Sequence, residues 1–562
     1  MSPSIRICNP VLKRISVSRT IQSQPIGRPP NSHVSLVSQV SRAALWNTIL
    51  LPVLGVLNVA FAVLIRRRFG LFSGVYDVLL GLSSTLAQHS GIGIGTALLK
   101  FLPEVSEASG RGPVRRLLRD AVIVRMLLLL LVLVPLNLFV EPVVQVLELG
   151  PSGRLYIGLV SGLVVARALL LMMVQALNAF FAQMWSNLIA VLQAVLELAA
   201  AGAMLALGYQ MGGVFAGLVA AGTVAALLST GSVWWQLAHL DPSRDTDESD
   251  RRESDPAGLW FSGEGRRFFR FSVFTYVFGL SVYFTGMGFV APALAVVLST
   301  EDVALFATAY KLSFSAVGLV VASFRGVYRP LFARVRVRKD RSDLQRTFIV
   351  VSKAQLVVLF PAGLGLMVMS GDYVPLLFGA EFTPAVPLVW LMAGFMYATT
   401  AFNLSGIVLS IDEQYRAIAW VRAPVLLSVP IFLLVAARGG LVQASIVFGA
   451  TGLLVELLSY AICHRLYGFR FPWTFAGRIG VVSATMAAAL VVARTVWTTS
   501  LVEAVTLTVA GATVVVIGLR LNRVFGPDEL RLLRQTELPG HAWVANWFAT
   551  KSDDAPTKAE KQ

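Results

Sequence analysis

The chain has 562 residues, 56% of them hydrophobic and only 14% charged, and its mean hydropathy is +0.71. Soluble domains carry about 25% charged residues, so a string of soluble domains is excluded and an all-α polytopic membrane protein is implied. The net charge of +16 does not indicate a nucleic-acid partner, because the basic residues sit in short runs between apolar segments, where they set membrane topology.

Residues 1–42 are polar, basic and rich in Pro and Ser, without the apolar core of a cleavable signal peptide. They read as a disordered cytosolic tail. Apolar runs near or above about 18 residues mark candidate spans. Six lie at about 43–65, 72–99, 121–140, 155–180, 185–207 and 211–237. After a polar break, eight more lie at about 268–291, 303–325, 348–370, 385–410, 416–437, 441–463, 475–494 and 500–520. The reading is therefore about 14 transmembrane helices, arranged in chain order. Spans one to six fill 43–237, a cytosolic linker covers 238–267, and spans seven to twelve fill 268–463. Spans thirteen and fourteen fall in 464–520, and 521–562 is a polar cytosolic tail. Cys8 and Cys463 suggest no disulfide framework.

Loop arginines and lysines fix direction. Lys100, Arg111, Arg115, Arg116 and Arg119 follow span two, and Arg244, Arg251, Arg252, Arg266 and Arg267 follow span six. The loop after span eight runs from Arg325 to Arg346 and is the richest. Loops after odd-numbered spans are nearly free of basic residues, so both termini are expected in the cytosol. Arg66, Arg67 and Arg68 break the rule: they follow span one and belong outside, either as a blemish on the topology or as a functional cluster at the outer mouth.

The second half begins like the first. Span one is followed by FGLFSGVYDVLLGL and span seven by STEDVALFATAYKLS, so that Tyr76-Asp77 falls where Tyr310-Lys311 falls. Both halves start inside, so the repeat is parallel, about an axis along the membrane normal. The echo puts Asp77 and Lys311 at equivalent heights with opposite charge, as an outer gate. The competing reading leaves each facing outer water or a headgroup. If they act as an isolated pair, single charge swaps should impair flux and the double swap should recover much of it.

GIGIGTALLKFLPEV, from Gly91, resembles the end of the second span in polysaccharide-type (Wzx-like) flippases of the multidrug/oligosaccharidyl-lipid/polysaccharide (MOP) exporter superfamily. The resemblance is carried by Gly95, Lys100, Phe101, Leu102, Pro103 and Glu104, by Arg67, Phe69, Gly70, Val75 and Tyr76 before them, and by DVALFATAYKLS at the start of span eight. It covers roughly 40–520. It implies two six-helix lobes around a central cleft plus two C-terminal helices. The task it implies is moving polyprenyl-diphosphate-linked oligosaccharide from the inner to the outer leaflet of the cytoplasmic membrane. The partners would be the lipid-linked oligosaccharide, membrane lipids, and the polymerase and glycosyltransferases of cell-surface polysaccharide synthesis.

Within the spans, Arg167 interrupts the apolar run GLVVARALLLMMV. A guanidinium at mid-membrane costs about 2.5–3.5 kcal/mol on insertion scales, so it needs a purpose. Arg167 lies about 16 residues before the turn at Gln183 and Glu197 about 14 after it, so the two match in depth. Gln193 sits one turn from Glu197. Two readings are open: an ion pair tying a hairpin together, or a cavity wall where Arg167 attracts phosphate. Arg422 and Glu456 stand at matched distances from Gly439-Gly440 and read as a structural pair by the same arithmetic.

Span two carries Ser83, Ser84, Thr85, Gln88, His89 and Ser90 at the membrane centre, which lipid would reject, so they face protein or water. His89 reads either as a satisfied core residue or as a proton-coupling group. Gly91, Gly93 and Gly95 allow close packing or bending. A wet, cationic path for a diphosphate would draw on Lys311, His89, Arg167 and Lys353. No metal-ligand cluster, nucleophile triad or G-x-x-x-x-G-K-[ST] is visible, so no enzyme, metal or cofactor is expected. Energy would come from an ion gradient, the membrane potential or consumption of the product. Two further readings stand: drug or metabolite efflux by a relative in the same superfamily, and a membrane-embedded polysaccharide polymerase or ligase. The short outer loops leave little room for the latter's catalytic groups.

Overall fold

The computed structural model describes residues 32–109, 111–180, 182–239, 263–337, 341–412, 414–497, 500–522 and 524. The N-terminal tail to residue 31, most of the 238–267 linker and the C-terminal tail beyond 524 lie outside the described residues. Residues 32–42 are helical and form a unit separate from the compact body that begins at Ala43.

Every regular element among the described residues is helical. The first half holds α1 (Ser32–Phe69), α2 (Ser73–His89), α3 (Ile94–Ser109) and α4 (Arg111–Leu138). It continues with α5 (Val140–Val146), α6 (Gly153–Ala179), α7 (Gln183–Ala206) and α8 (Met211–Ala238). The second half holds α9 (Gly263–Phe284), α10 (Met287–Ala295), α11 (Thr300–Val337), α12 (Arg341–Phe378), α13 (Val386–Phe402) and α14 (Leu404–Ile411). It closes with α15 (Tyr415–Tyr467), α16 (Trp473–Val496) and α17 (Leu501–Leu521).

Nine helical stretches among the described residues are long and apolar enough to cross a membrane. Expected spans one, two, seven and eight are not among them, and spans two and seven are each broken. α2 gives way to α3 over Ser90–Gly93, and α9 gives way to α10 at Thr285–Gly286. α15 is interrupted at Gly440, whose φ of 80° a side chain would resist, and its two arms carry expected spans eleven and twelve. α17 opens with a capping box: Ser500 and Glu503 each satisfy the other's backbone N–H.

In the first half, α6 and α7 each pack chiefly on α8 and only lightly on one another. In the second, α12 carries α11, α13, α16 and α17. The halves meet along one line, with α2 against α10 and α11 and α3 against α9. One hydrophobic core spans this seam and includes Tyr76, Leu79, Leu163, Phe215, Leu294 and Phe306. α16 and α17 dock through an apolar cluster around Ile479 and Leu507 and one ion pair. There Arg494 binds both carboxylate oxygens of Asp372, at 2.5 and 2.8 Å, and donates to the Val368 carbonyl at 2.7 Å.

Candidate functional site

At the end of the seam where α1 turns into α2, four side chains close on one another. Asp77, near the start of α2 and almost wholly buried, accepts from Lys311 Nζ of α11 at 2.6 Å through Oδ1. Through Oδ2 it accepts from Arg66 Nη2 at 2.8 Å. Arg66 is fully buried in the last turn of α1. Its Nε donates to Thr308 Oγ1 at 2.5 Å, and its guanidinium carbon lies 5.8 and 5.9 Å from the Phe378 and Phe382 ring centres. Arg67 donates to the Leu377 carbonyl at 3.0 Å and to that of Leu376, at the C-terminal end of α12. That end carries the negative pole of the helix dipole.

The sequence paired Asp77 with Lys311, and the two do touch across the halves. What the sequence left unassigned is Arg66. Its signal was present: three arginines standing against the charge asymmetry of the loops. The four partners contain two cations and one anion, all within α1, α2 and α11, so the cluster carries net positive charge.

Beneath the cluster lies a cavity of about 260 Å³ lined by Asn58, Tyr76, Arg167, Glu197, Lys311 and Ser315, among others. A neighbouring cavity of about 370 Å³ shares Asn58, Arg167 and Glu197 and adds Ser84, Gln88 and Gln193. Arg167 therefore sits on a polar wall, but it is not paired with Glu197. Its Nη1 donates to Ser83 Oγ at 2.9 Å and Ser84 Oγ at 2.7 Å. Glu197 accepts from Gln193 Nε2 at 2.7 Å. The expected ion pair fails for a physical reason. Residue counts fix depth, and both side chains reach the same cavities, but α6 and α7 each pack on α8 rather than on one another, and no salt bridge joins the two. The hydroxyls of α2 reach the guanidinium first.

The other expected cavity residues divide. Gln88 lines the second cavity. His89 turns toward the second half, with Nδ1 2.8 Å from Tyr276 Oη and its ring edge-on to Tyr276 and Tyr283. Lys353 lies in the first third of α12, its Nζ 5.3 Å from the Phe475 ring centre of α16, and lines neither cavity. Arg422 and Glu456 stand on the two arms of α15, and Glu456 Oε2 is buried without a hydrogen-bond partner.

The opposite end of the seam is closed by the residues that carried the family resemblance. Lys100 Nζ lies 4.5 Å from the Phe271 ring centre. Phe101 packs on Phe268 and Phe271, and Glu104 lies 3.6 Å from Arg267. Sequence reasoning also missed an apolar cavity of about 550 Å³ between α12, α13, α16 and α17, lined by Pro361, Tyr397, Met486 and Val515 among others.

Comparison with known proteins bears on this geometry. Residues 156–387 match the family described as "Polysaccharide biosynthesis protein". No curated protein matches the chain. Among solved structures, a lipid II flippase MurJ in an inward closed conformation superposes with a TM-score of 0.63 at 13% identity, covering 86% of this chain and 98% of that one. An inward-facing multidrug resistance MATE family transporter of the MOP superfamily gives 0.53 at 13% identity, covering 75% and 94%. The fold is thus the one these transporters share, as the sequence resemblance implied, and the chain is a multi-pass membrane protein.

Proposed function

We propose that this chain, built on the fold of the MOP-superfamily transporters, flips a polyprenyl-diphosphate-linked oligosaccharide across the cytoplasmic membrane for cell-surface polysaccharide synthesis. On this reading it makes fourteen crossings with both termini in the cytosol. The halves on either side of the 240–262 segment act as two lobes, and the Asp77 end of the seam faces outward.

One observation carries the proposal. A polar cavity holding Arg167 and Lys311 lies directly under a cluster in which Asp77 is shared by two cations. A sugar diphosphate needs cationic donors in a wet path, and charge-assisted hydrogen bonds to phosphate are the strong ones. Arg167 meets that need: two neutral hydroxyls hold its guanidinium, and Glu197 lines the same cavity without a salt bridge to it. Lys311 lines the same cavity and is bonded to Asp77, so an arriving phosphate competes with Asp77 for it. Loss of Lys311 from Asp77 unties α2 from α11 at the outer end. Substrate entry and outer opening are thereby linked through one side chain.

The test is to assay lipid-linked sugar on each face of the cytoplasmic membrane in a strain lacking the protein. The proposal expects build-up on the inner face, reversed by the wild-type chain and not by Lys311→Ala. Normal translocation with failed polymerisation would replace it with the polymerase reading. Normal surface polysaccharide with a new drug sensitivity would replace it with the efflux reading.

A further inference from the structure

The break between α2 and α3 is held from both halves. Ile92 has φ +38° and Gly93 φ +76°, both in the left-handed region, which a β-branched residue such as isoleucine avoids. Carbonyls freed by the break need donors, since the hydrocarbon of a bilayer offers none. Two side chains supply them. Arg125 of α4, 5% exposed, donates to the Ala87 carbonyl, and its Nη1 fills the space a side chain at Gly91 would take. Ser272 of α9, in the other half, donates to the Ile92 carbonyl at 2.5 Å. The contact is also one of backbones, because a Cβ at Gly93 would run into the Ser272 carbonyl oxygen.

We propose that the Ser90–Gly93 break is a strained hinge with two positioning residues. Arg125 braces it from its own half throughout, and Ser272 pins it only while α9 lies against α3. When the halves part at the Glu104 end, Ile92 loses its donor from α9. Nothing in the second half then holds it at positive φ, and α2 and α3 rewind toward one continuous helix. The strain favours parting, the Ser272 contact opposes it, and the balance sets how readily that end opens. The proposal rests on the reading that the halves part during transport. Its test reads helix contact rather than flux, so the two can fail separately.

The two hinge residues give opposite signs. Gly93→Ala adds a side chain where α9 must approach and so should drive the halves apart. Ile92→Gly adds no bulk and removes the positive-φ penalty of isoleucine, so it should favour the pinned form by about tenfold. A merely structural role at this break would not move the two variants in opposite directions. The measurement uses Glu104→Cys and Arg267→Cys, whose native side chains stand 3.6 Å apart, in a background lacking Cys8 and Cys463. A short bifunctional thiol reagent then reports crosslink rate in nanodiscs. The expected result is a severalfold slower rate for Gly93→Ala, a smaller loss for Ser272→Ala and a faster rate for Ile92→Gly. Should Gly93→Ala not fold, Ile92→Gly and Ser272→Ala still decide. Unchanged rates in both, or a slower rate for Ile92→Gly, would overturn the proposal.

Discussion

Exchanging the charges of Asp77 and Lys311 is the natural test of an isolated pair, and the structure changes what it should give. Asp77 is not a private partner of Lys311, because Arg66 Nη2 holds its other oxygen at 2.8 Å. In the double variant Asp77→Lys/Lys311→Asp, the new lysine at 77 faces Arg66, which is fully buried. Two cations about 6 Å apart repel by about 3 kcal/mol at an effective dielectric of 20. Removing the carboxylate from a buried pair costs about 3–5 kcal/mol by itself, and the two figures overlap rather than add. A penalty of about 3 kcal/mol on the closed form is a change of more than a hundredfold in the closed-to-open ratio. The rescue expected of a simple pair should therefore fail. Adding Arg66→Gln removes the clash and should restore closure in the triple variant. The assay is the labelling rate of Ser315→Cys, on the cavity wall, by an impermeant thiol reagent added outside. Single swaps and the double swap should label much faster than wild type, and the triple variant should fall back toward it. A double swap as protected as wild type would refute the claim that Arg66 shares Asp77.

Further outcomes follow from the same contacts. A double-mutant cycle on Arg167→Ala and Glu197→Ala should give a coupling below about 1 kcal/mol in thermal unfolding, since neutral hydroxyls and not Glu197 hold Arg167. By contrast, Ser83→Ala with Ser84→Ala should lower stability by about 1.5–3 kcal/mol by stripping charge-assisted bonds from Arg167, and an unshifted unfolding midpoint would count against that. Asp372→Ala should cost about 2–4 kcal/mol by orphaning Arg494 and should make α16 newly sensitive to protease. Cysteines placed at 240–262 should resist an impermeant reagent in intact cells, and strong labelling from outside would reverse the proposed topology.

The sequence made some of this legible because membranes impose simple rules. Apolar length located helices, nine stretches of which among the described residues are long and apolar enough to cross a membrane. The echo of Tyr76-Asp77 in Tyr310-Lys311 found a real contact between halves, since a repeat constrains height and approximate face together. The glycines at 91–95 marked a bend, and the structure has one there. Depth alone was not enough. Arg167 and Glu197 matched in residue count, but a salt bridge also needs azimuth, and azimuth follows from which third helix each one packs on. Arg66 was seen as a departure from the charge rule, yet its partner came from the tight turn over Gly70–Phe72, which folds position 66 onto position 77. Lys353 was chosen for charge and span, and nothing in its neighbours' sequence revealed that α16 would cover it.

The central claim is that the chain carries a lipid-linked sugar diphosphate from one leaflet to the other. The most direct measurement puts purified protein in liposomes with a fluorescent polyprenyl-diphosphate oligosaccharide in both leaflets and bleaches the outer leaflet with an impermeant reductant. The account expects the protected inner-leaflet fraction to bleach over time with wild-type protein, much more slowly with Arg167→Ala, and not at all in empty liposomes. Inner-leaflet signal that stays protected with active, correctly folded wild-type protein under an imposed ion gradient would contradict it.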